Sequence, residues 1–273
     1  MFERRTPQTA VGTFFRMSEL VYHGVVRNVR STHGNALAAI FINVMQMIIL
    51  VLVFYFMFSV LGLRGVALRG DFLVFIMSGI FLFMTHIKAL GGVMGAEGPT
   101  SAMMKHAPMN TIVAIGSAMF GTLYIQILSA CLVLYGYHVI VNPISFDQPF
   151  GTFFMFILAW FSGSAIGIML LALKPWAPRA VGIVSQLYMR VNMIASGKMF
   201  VANSLPGYMR DYFDWNPLFH AIDQARGFAF LNYAPRYTEI AYPLILSGVL
   251  IMIGLMLEFT TRRAASQSWS ARD

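Results

Sequence analysis

Residues 36–62 read ALAAIFINVMQMIILVLVFYFMFSVLG, a run without one charged side chain. A helix needs about 20 apolar residues to cross the hydrocarbon core of a bilayer, so this run is predicted to span a membrane. Working outward, five more apolar runs follow at about 72–90, 111–141, 150–173, 179–202 and 241–259, the fifth being the least apolar. Composition agrees. Hydrophobic residues make up 58% of the 273, charged residues only 11%, and mean hydropathy is +0.69. Soluble domains carry about 25% charged residues, so too little polar surface is left to cover one here. The expected fold is an all-α integral membrane protein with six transmembrane helices, forming one domain over residues 1–273.

Residues 11–30, VGTFFRMSELVYHGVVRNVR, are mixed. On a helical wheel Arg16, Glu19, His23, Arg27 and Arg30 share a narrow polar arc, while Phe14, Met17, Val21, Val25 and Val29 take the opposite side. Such a wheel predicts an amphipathic helix lying in the headgroup plane; the alternative is a helix packed on another cytoplasmic element. The arginines at 4, 5, 16, 27 and 30 leave no compact apolar core ahead of a cleavage site. The N-terminus is therefore expected to stay attached and cytoplasmic. Alternating the loops places Arg4, Arg5, Arg16, Arg27, Arg30, Lys88, Lys105, Lys174, Arg179, Arg262, Arg263 and Arg272 inside, against Arg64, Arg69, Arg210, Arg226 and Arg236 outside. That asymmetry predicts both termini inside. It also apportions most of the net charge of +8 to orientation, and the dispersed cations do not suggest nucleic acid.

Little in the chain points to chemistry. Cys131 is the single cysteine, and no two of His23, His33, His86, His106, His138 and His220 stand at the three- or four-residue spacing of helix-borne metal ligands. Gly197-Lys198 is followed by Met199 and lacks the upstream glycine of a phosphate-binding loop. No catalytic residue, metal or bound cofactor is expected. Asn43, Gln46 and Gln126 lie at membrane depth, where polar groups must find partners, and Gly163 with Gly167 forms a small-xxx-small patch suited to close helix packing.

Residues 203–240, NSLPGYMRDYFDWNPLFHAIDQARGFAFLNYAPRYTEI, break the pattern. They are too polar for a span yet rich in aromatic residues. Two short helices are predicted, the first capped by Ser204 over about 205–214. The second is opened by Asn216 and Pro217 and runs to about Leu231, with Leu218, Ile222, Ala225 and Ala229 on one face. The natural reading is an amphipathic hairpin that re-enters the membrane from the outside before the sixth span.

Residues 195–230, ASGKMFVANSLPGYMRDYFDWNPLFHAIDQARGFAF, resemble type-2 ABC exporter permeases, and among these the permeases that export capsular polysaccharide and related envelope glycans. The matching positions are mainly Ser196, Gly197, Ser204, Leu205, Pro206, Asn216, Pro217, Leu218, His220, Asp223 and Arg226. Lys198 departs from the pattern, which has an apolar or aromatic residue there. The resemblance implies a homodimer joined to two nucleotide-binding ATPase subunits that hold the ATP and Mg, in a bacterial inner membrane, with periplasmic or outer-membrane export partners. It also implies a coupling helix in the cytoplasmic loop 91–110, within 95–109, whose polar members are Glu97, Lys105 and His106. A solvated loop with ordinary charges is the plainer reading of those three.

A hydrated glycan needs a path lined by aromatic faces and hydrogen-bonding groups. The candidates are Tyr188, Asn192, Tyr208, Tyr212, Trp215 and Phe219, although Tyr and Trp also form interfacial belts without any role in transport. Arg190 lies mid-way along the expected fifth span, where a cation costs about 2.5–3.5 kcal/mol. Either Arg190, with Lys198 nearer the outer end, attracts an anionic glycan or lipid phosphate, or it bonds backbone carbonyls or Gln126. A type-2 permease for a small lipid or drug is the alternative within transport; a membrane scaffold is the alternative outside it.

Overall fold

A computed structural model describes residues 10–31, 35–62, 71–96, 98 and 111–270. They fold as α1 (Ala10–Ser31), α2 (Ala36–Val60), α3 (Phe72–Met94), α4 (Thr111–Ile140), α5 (Pro149–Leu173), α6 (Pro178–Ala195), a 3-10 turn (Ala202–Ser204), α7 (Gly207–Arg210), α8 (Pro217–Ala229) and α9 (Ala241–Ser270), with no strand among the described residues. Five helices are long and apolar enough to cross a membrane: α2, α3, α4, α5 and the Ala241–Thr261 part of α9.

The helix starts follow from local chemistry. Asn35 accepts the Leu37 N–H at 3.1 Å and Asp71 accepts that of Leu73 at 2.9 Å, each satisfying an amide that has no partner within its helix. Pro149 and Pro178 open α5 and α6 from the first turn, where the missing N–H costs nothing.

Helices α3 and α5 form the centre, buried over most of their length, and the other helices ring them. The small-xxx-small patch does what its spacing predicts. A Cβ on Gly163 would lie 2.2 Å from the His86 carbonyl oxygen, and one on Gly167 would lie 2.9 Å from that of Leu90, so α5 rests directly on the backbone of α3. Gly254 lets α9 approach Ile168 and Met169 of α5 in the same way. The polar groups at depth also find partners. Gln126 donates to Asn43 Oδ1 at 3.1 Å, tying α4 to α2, and Lys88 Nζ donates to Gln46 Oε1 at 2.8 Å, tying α3 to α2.

Helix α1 exposes Arg16, Glu19, His23 and Arg27. Its other edge is not left bare: Val21 and Gly24 lie on Gly116 and Ser117 of α4, and Asn28 lies on Gly121. Phe14, Phe15 and Tyr22 remain exposed.

Two expected boundaries are corrected. Helix α6 stops at Ala195 rather than continuing to 202, because Gly197 turns the chain at φ +72° and the next carbonyls are captured by a side chain from α8. Ser204 does not cap a helix over 205–214; its hydroxyl donates to the Val201 carbonyl, and only the single turn α7 follows Pro206. The second piece is as expected. Asn216 caps α8 through the Leu218 N–H, Pro217 occupies the first turn, and Leu218, Ile222, Ala225 and Ala229 are all buried.

Candidate functional site

The polar architecture gathers where α6 ends, α8 packs across the bundle, and both meet α3. Arg226 of α8 is fully buried. Its Nη1 donates to the carbonyls of Gly197 at 2.8 Å and Phe200 at 2.5 Å, its Nη2 donates to that of Lys198 at 2.6 Å, and the guanidinium lies 4.0 Å over the Phe75 ring. Burying a guanidinium is expensive unless its donors are used. Here the planar fork matches three carbonyls that the break in α6 has freed.

Asp223, one turn earlier on the same helix, accepts from the Ala202 N–H at 3.0 Å and the Tyr233 hydroxyl at 2.6 Å through Oδ1, and from the Thr238 hydroxyl at 2.8 Å through Oδ2. Asn216 donates to Asn192 Oδ1 at 2.9 Å and to the Ala195 carbonyl at 2.8 Å. His220 accepts the Glu239 N–H on Nδ1 at 3.0 Å, so Nε2 carries the proton it donates to the Asp214 carbonyl at 2.9 Å. These four side chains of the 216–226 segment thus staple the segment after α6, the turn at Asp214 and the 230–240 loop to one another. Two glycines permit the closeness. A Cβ on Gly79 would meet Arg226 and the Lys198 backbone at 2.8–2.9 Å, and one on Gly197 would strike Phe219 at 2.6 Å.

A second knot lies deeper. His86 of α3 is fully buried; its Nδ1 is 3.1 Å from the Ala159 carbonyl, which can only accept, so Nε2 is left to accept the Tyr188 hydroxyl at 2.9 Å. Ser162 Oγ lies 3.0 Å from Nδ1. One imidazole therefore joins α3, α5 and α6, and α6 has few other packing contacts with the bundle.

The candidate path residues separate into two sets. Phe219 is buried against Phe200 and Phe213, Asn192 is buried and bonded to Asn216, and Tyr188 is bonded to His86, so these three hold the structure together in this conformation. Lys198 points inward too, with Nζ 3.5 Å from the centre of the Phe83 ring and 5.0 Å from that of Phe54. By contrast, Arg190, Tyr208, Tyr212 and Trp215 are exposed. Arg190 lies only five residues from the end of α6, or about 8 Å, not at mid-span, and among the described residues no bond joins it to Gln126 or to a backbone carbonyl. That carbonyl-binding role belongs to Arg226. Glu97, Lys105 and His106 lie outside the described residues.

Sequence reasoning missed His86, treating it as one lone histidine among six. The available signal was an ionisable residue inside an apolar span, which is rare enough to single out by itself.

With this geometry in view, a family model described as ABC-2 type transporter matches residues 19–230. The chain belongs to that family. It is the membrane permease part of a type-2 ABC transporter, a multi-pass helical protein that works with an ATPase subunit. No curated protein matches the permease sequence. The matched range takes in most of α1, the knot at His86 and the α8 cluster at Arg226.

Proposed function

We propose that this permease exports a polysaccharide or lipid-linked glycan of the capsular type from the cytoplasm across a bacterial inner membrane, as a homodimer with two ATPase subunits. The observation that carries the reading is the placement of Arg190. Helix α6 turns Val181, Ser185, Asn192 and Ala195 inward, and at 3.6 residues per turn Arg190 falls about 180° from Val181. Arg179 and Gln186 share that outward arc, among exposed Ile183, Leu187 and Ile194.

A cation and an amide on an outward face are costly against lipid. They suit a face that borders water between two copies of the chain. On this reading α6 is the fifth of six spans and Arg190 attracts an anionic glycan or lipid phosphate, while Tyr208, Tyr212 and Trp215 at the outer end offer rings to sugar C–H faces. The segment after α6 is a re-entrant hairpin. In support, Lys198 packs on Gly79, seven residues into α3, which is about 10 Å along the helix. The outer side, the cytoplasmic termini and the interfacial seat of α1 follow the distribution of Lys and Arg. Helix α3 runs on to Met94, past the expected end at 90, so coupling to ATP is assigned to residues 95–109, with Glu97, Lys105 and His106.

The test is analysis of surface glycan in a deletion strain complemented with wild type or Arg190→Gln. Deletion is expected to abolish the polymer, and the variant to lower export of an acidic glycan at least several-fold at unchanged protein level. Surface polymer retained with lost drug resistance would favour a permease for a small lipid or drug instead. Unchanged export by Arg190→Gln would remove the electrostatic role.

A further inference from the structure

Helices α4 and α5 both lean on α3 but scarcely on each other. The furrow between them has α3 as its floor and holds a cavity of about 220 Å³ lined almost wholly by apolar groups, among them Phe81, Leu82, Ile127, Leu134 and Phe153. It lies along three helices that are long and apolar enough to cross a membrane, between exposed residues such as Leu132 and Phe154. At the end where α3 and α5 begin it meets a second cavity, of about 450 Å³, whose lining includes Asp71, Ser145, Asp147 and Asn232. Val74 and Phe146 line both, so the two cavities are adjacent.

An apolar trough that runs into a polar, acidic chamber has the division of an amphipathic molecule. We infer that this two-part cavity holds one phospholipid with a primary ammonium headgroup, an acyl chain lying in the furrow and the ammonium on the carboxylates of Asp71 and Asp147. The charge argues for that headgroup. Among the described lining residues the charged groups are the carboxylates of Asp71 and Asp147, which favour a headgroup that carries a cation. Asp71 already accepts the Leu73 N–H and the Tyr137 hydroxyl, one on each oxygen, which leaves a lone pair on each for a further donor. A primary ammonium offers three N–H donors to these oxygens, whereas the quaternary ammonium of choline offers none. Ser145 and Asn232 supply donors for the phosphate. The site is separate from the outward face of α6 and stands whatever the permease transports.

The experiment uses the permease with its ATPase subunit in nanodiscs of phosphatidylethanolamine, phosphatidylcholine and phosphatidylglycerol, with a diazirine on an acyl chain of a tracer phosphatidylethanolamine. Photo-adducts are expected to concentrate on α4 and α5 residues of the furrow. Unlabelled phosphatidylethanolamine should compete about threefold better than phosphatidylcholine, the scale of an exposed ion pair. Ala130→Phe should fill the furrow and remove the adducts. Asp147→Asn changes only an exposed side chain and should erase the preference between headgroups, keeping the test alive if the bulky variant does not assemble. Adducts spread evenly over all lipid-facing helices, or equal competition by phosphatidylcholine, would overturn the inference. So would bismaleimide cross-linking between copies at Cys131, the sole cysteine, which is exposed and lines the furrow, because it would place a second chain there.

Discussion

Three cations in this permease show how position, more than residue type, sets a role. Arg226 satisfies carbonyls that a broken helix has left open, Lys198 is boxed by the Phe54 and Phe83 rings, and Arg190 stands on an outward face. Under the proposed function, the last is the one that meets the substrate. Arg226→Gln is expected to lose at least two charge-assisted bonds and leave buried carbonyls unpaired, a cost of about 3 kcal/mol or more. Arg226→Lys should rescue little of it, since an ammonium lacks the planar fork. Thermal unfolding of the purified complex, followed by size-exclusion chromatography, measures both; a wild-type melting temperature in either variant would refute the clamp. The run 216–226 announced its importance through its spacing of Asn, Pro, His, Asp and Arg. Which of these side chains would face inward was not legible, because the partners of Arg226 are backbone atoms 26 to 29 residues away.

Among the elements, α3 and α5 carry the fold and α6 is the loosely held one. The contact of α3 with α5 depends on two glycines whose absent side chains admit the backbone of the partner helix. Lipid supplies no hydrophobic drive to bring spans together, so such close packing does the work. Gly163→Leu should therefore prevent folding or sharply reduce the amount of protein recovered. Gly182→Leu on α6 has nothing within 4 Å of its Cβ position and should be recovered at near wild-type levels. Equal recovery of the two variants would contradict this division. The patch at 163 and 167 was legible as a packing device from its four-residue period. Its partner on α3 was not, nor was the end of α6 at Ala195, since a chain break set by a distant arginine leaves only Gly197 as a local trace.

At the scale of the molecule, one chain leaves a long apolar face uncovered on α6, interrupted by Arg179, Gln186 and Arg190. If two copies meet around a wet seam there, Leu187→Cys in a Cys131→Ala background should form cross-linked dimers in membranes with a short bifunctional reagent. Phe259→Cys in the same background, on the exposed face of α9, serves as the comparison. Cross-linking confined to the α9 position would move the interface away from α6 and with it the proposed path.

The sequence by itself determined the class of molecule and most of its elements. Apolar runs of span length, a helical wheel in α1, and the Asn-Pro start of α8 are local signals, and each needs only neighbouring residues to act. Tertiary structure alone decided that His86 ties α6 to α3 and α5, that Asn192 and Phe219 are structural in this conformation, and that Arg190 faces away from the bundle. Those outcomes depend on the rotation of one helix against another. In a bilayer that rotation is set by close backbone contact and scarce hydrogen-bond partners, not by the apolar character that most residues of the spans share.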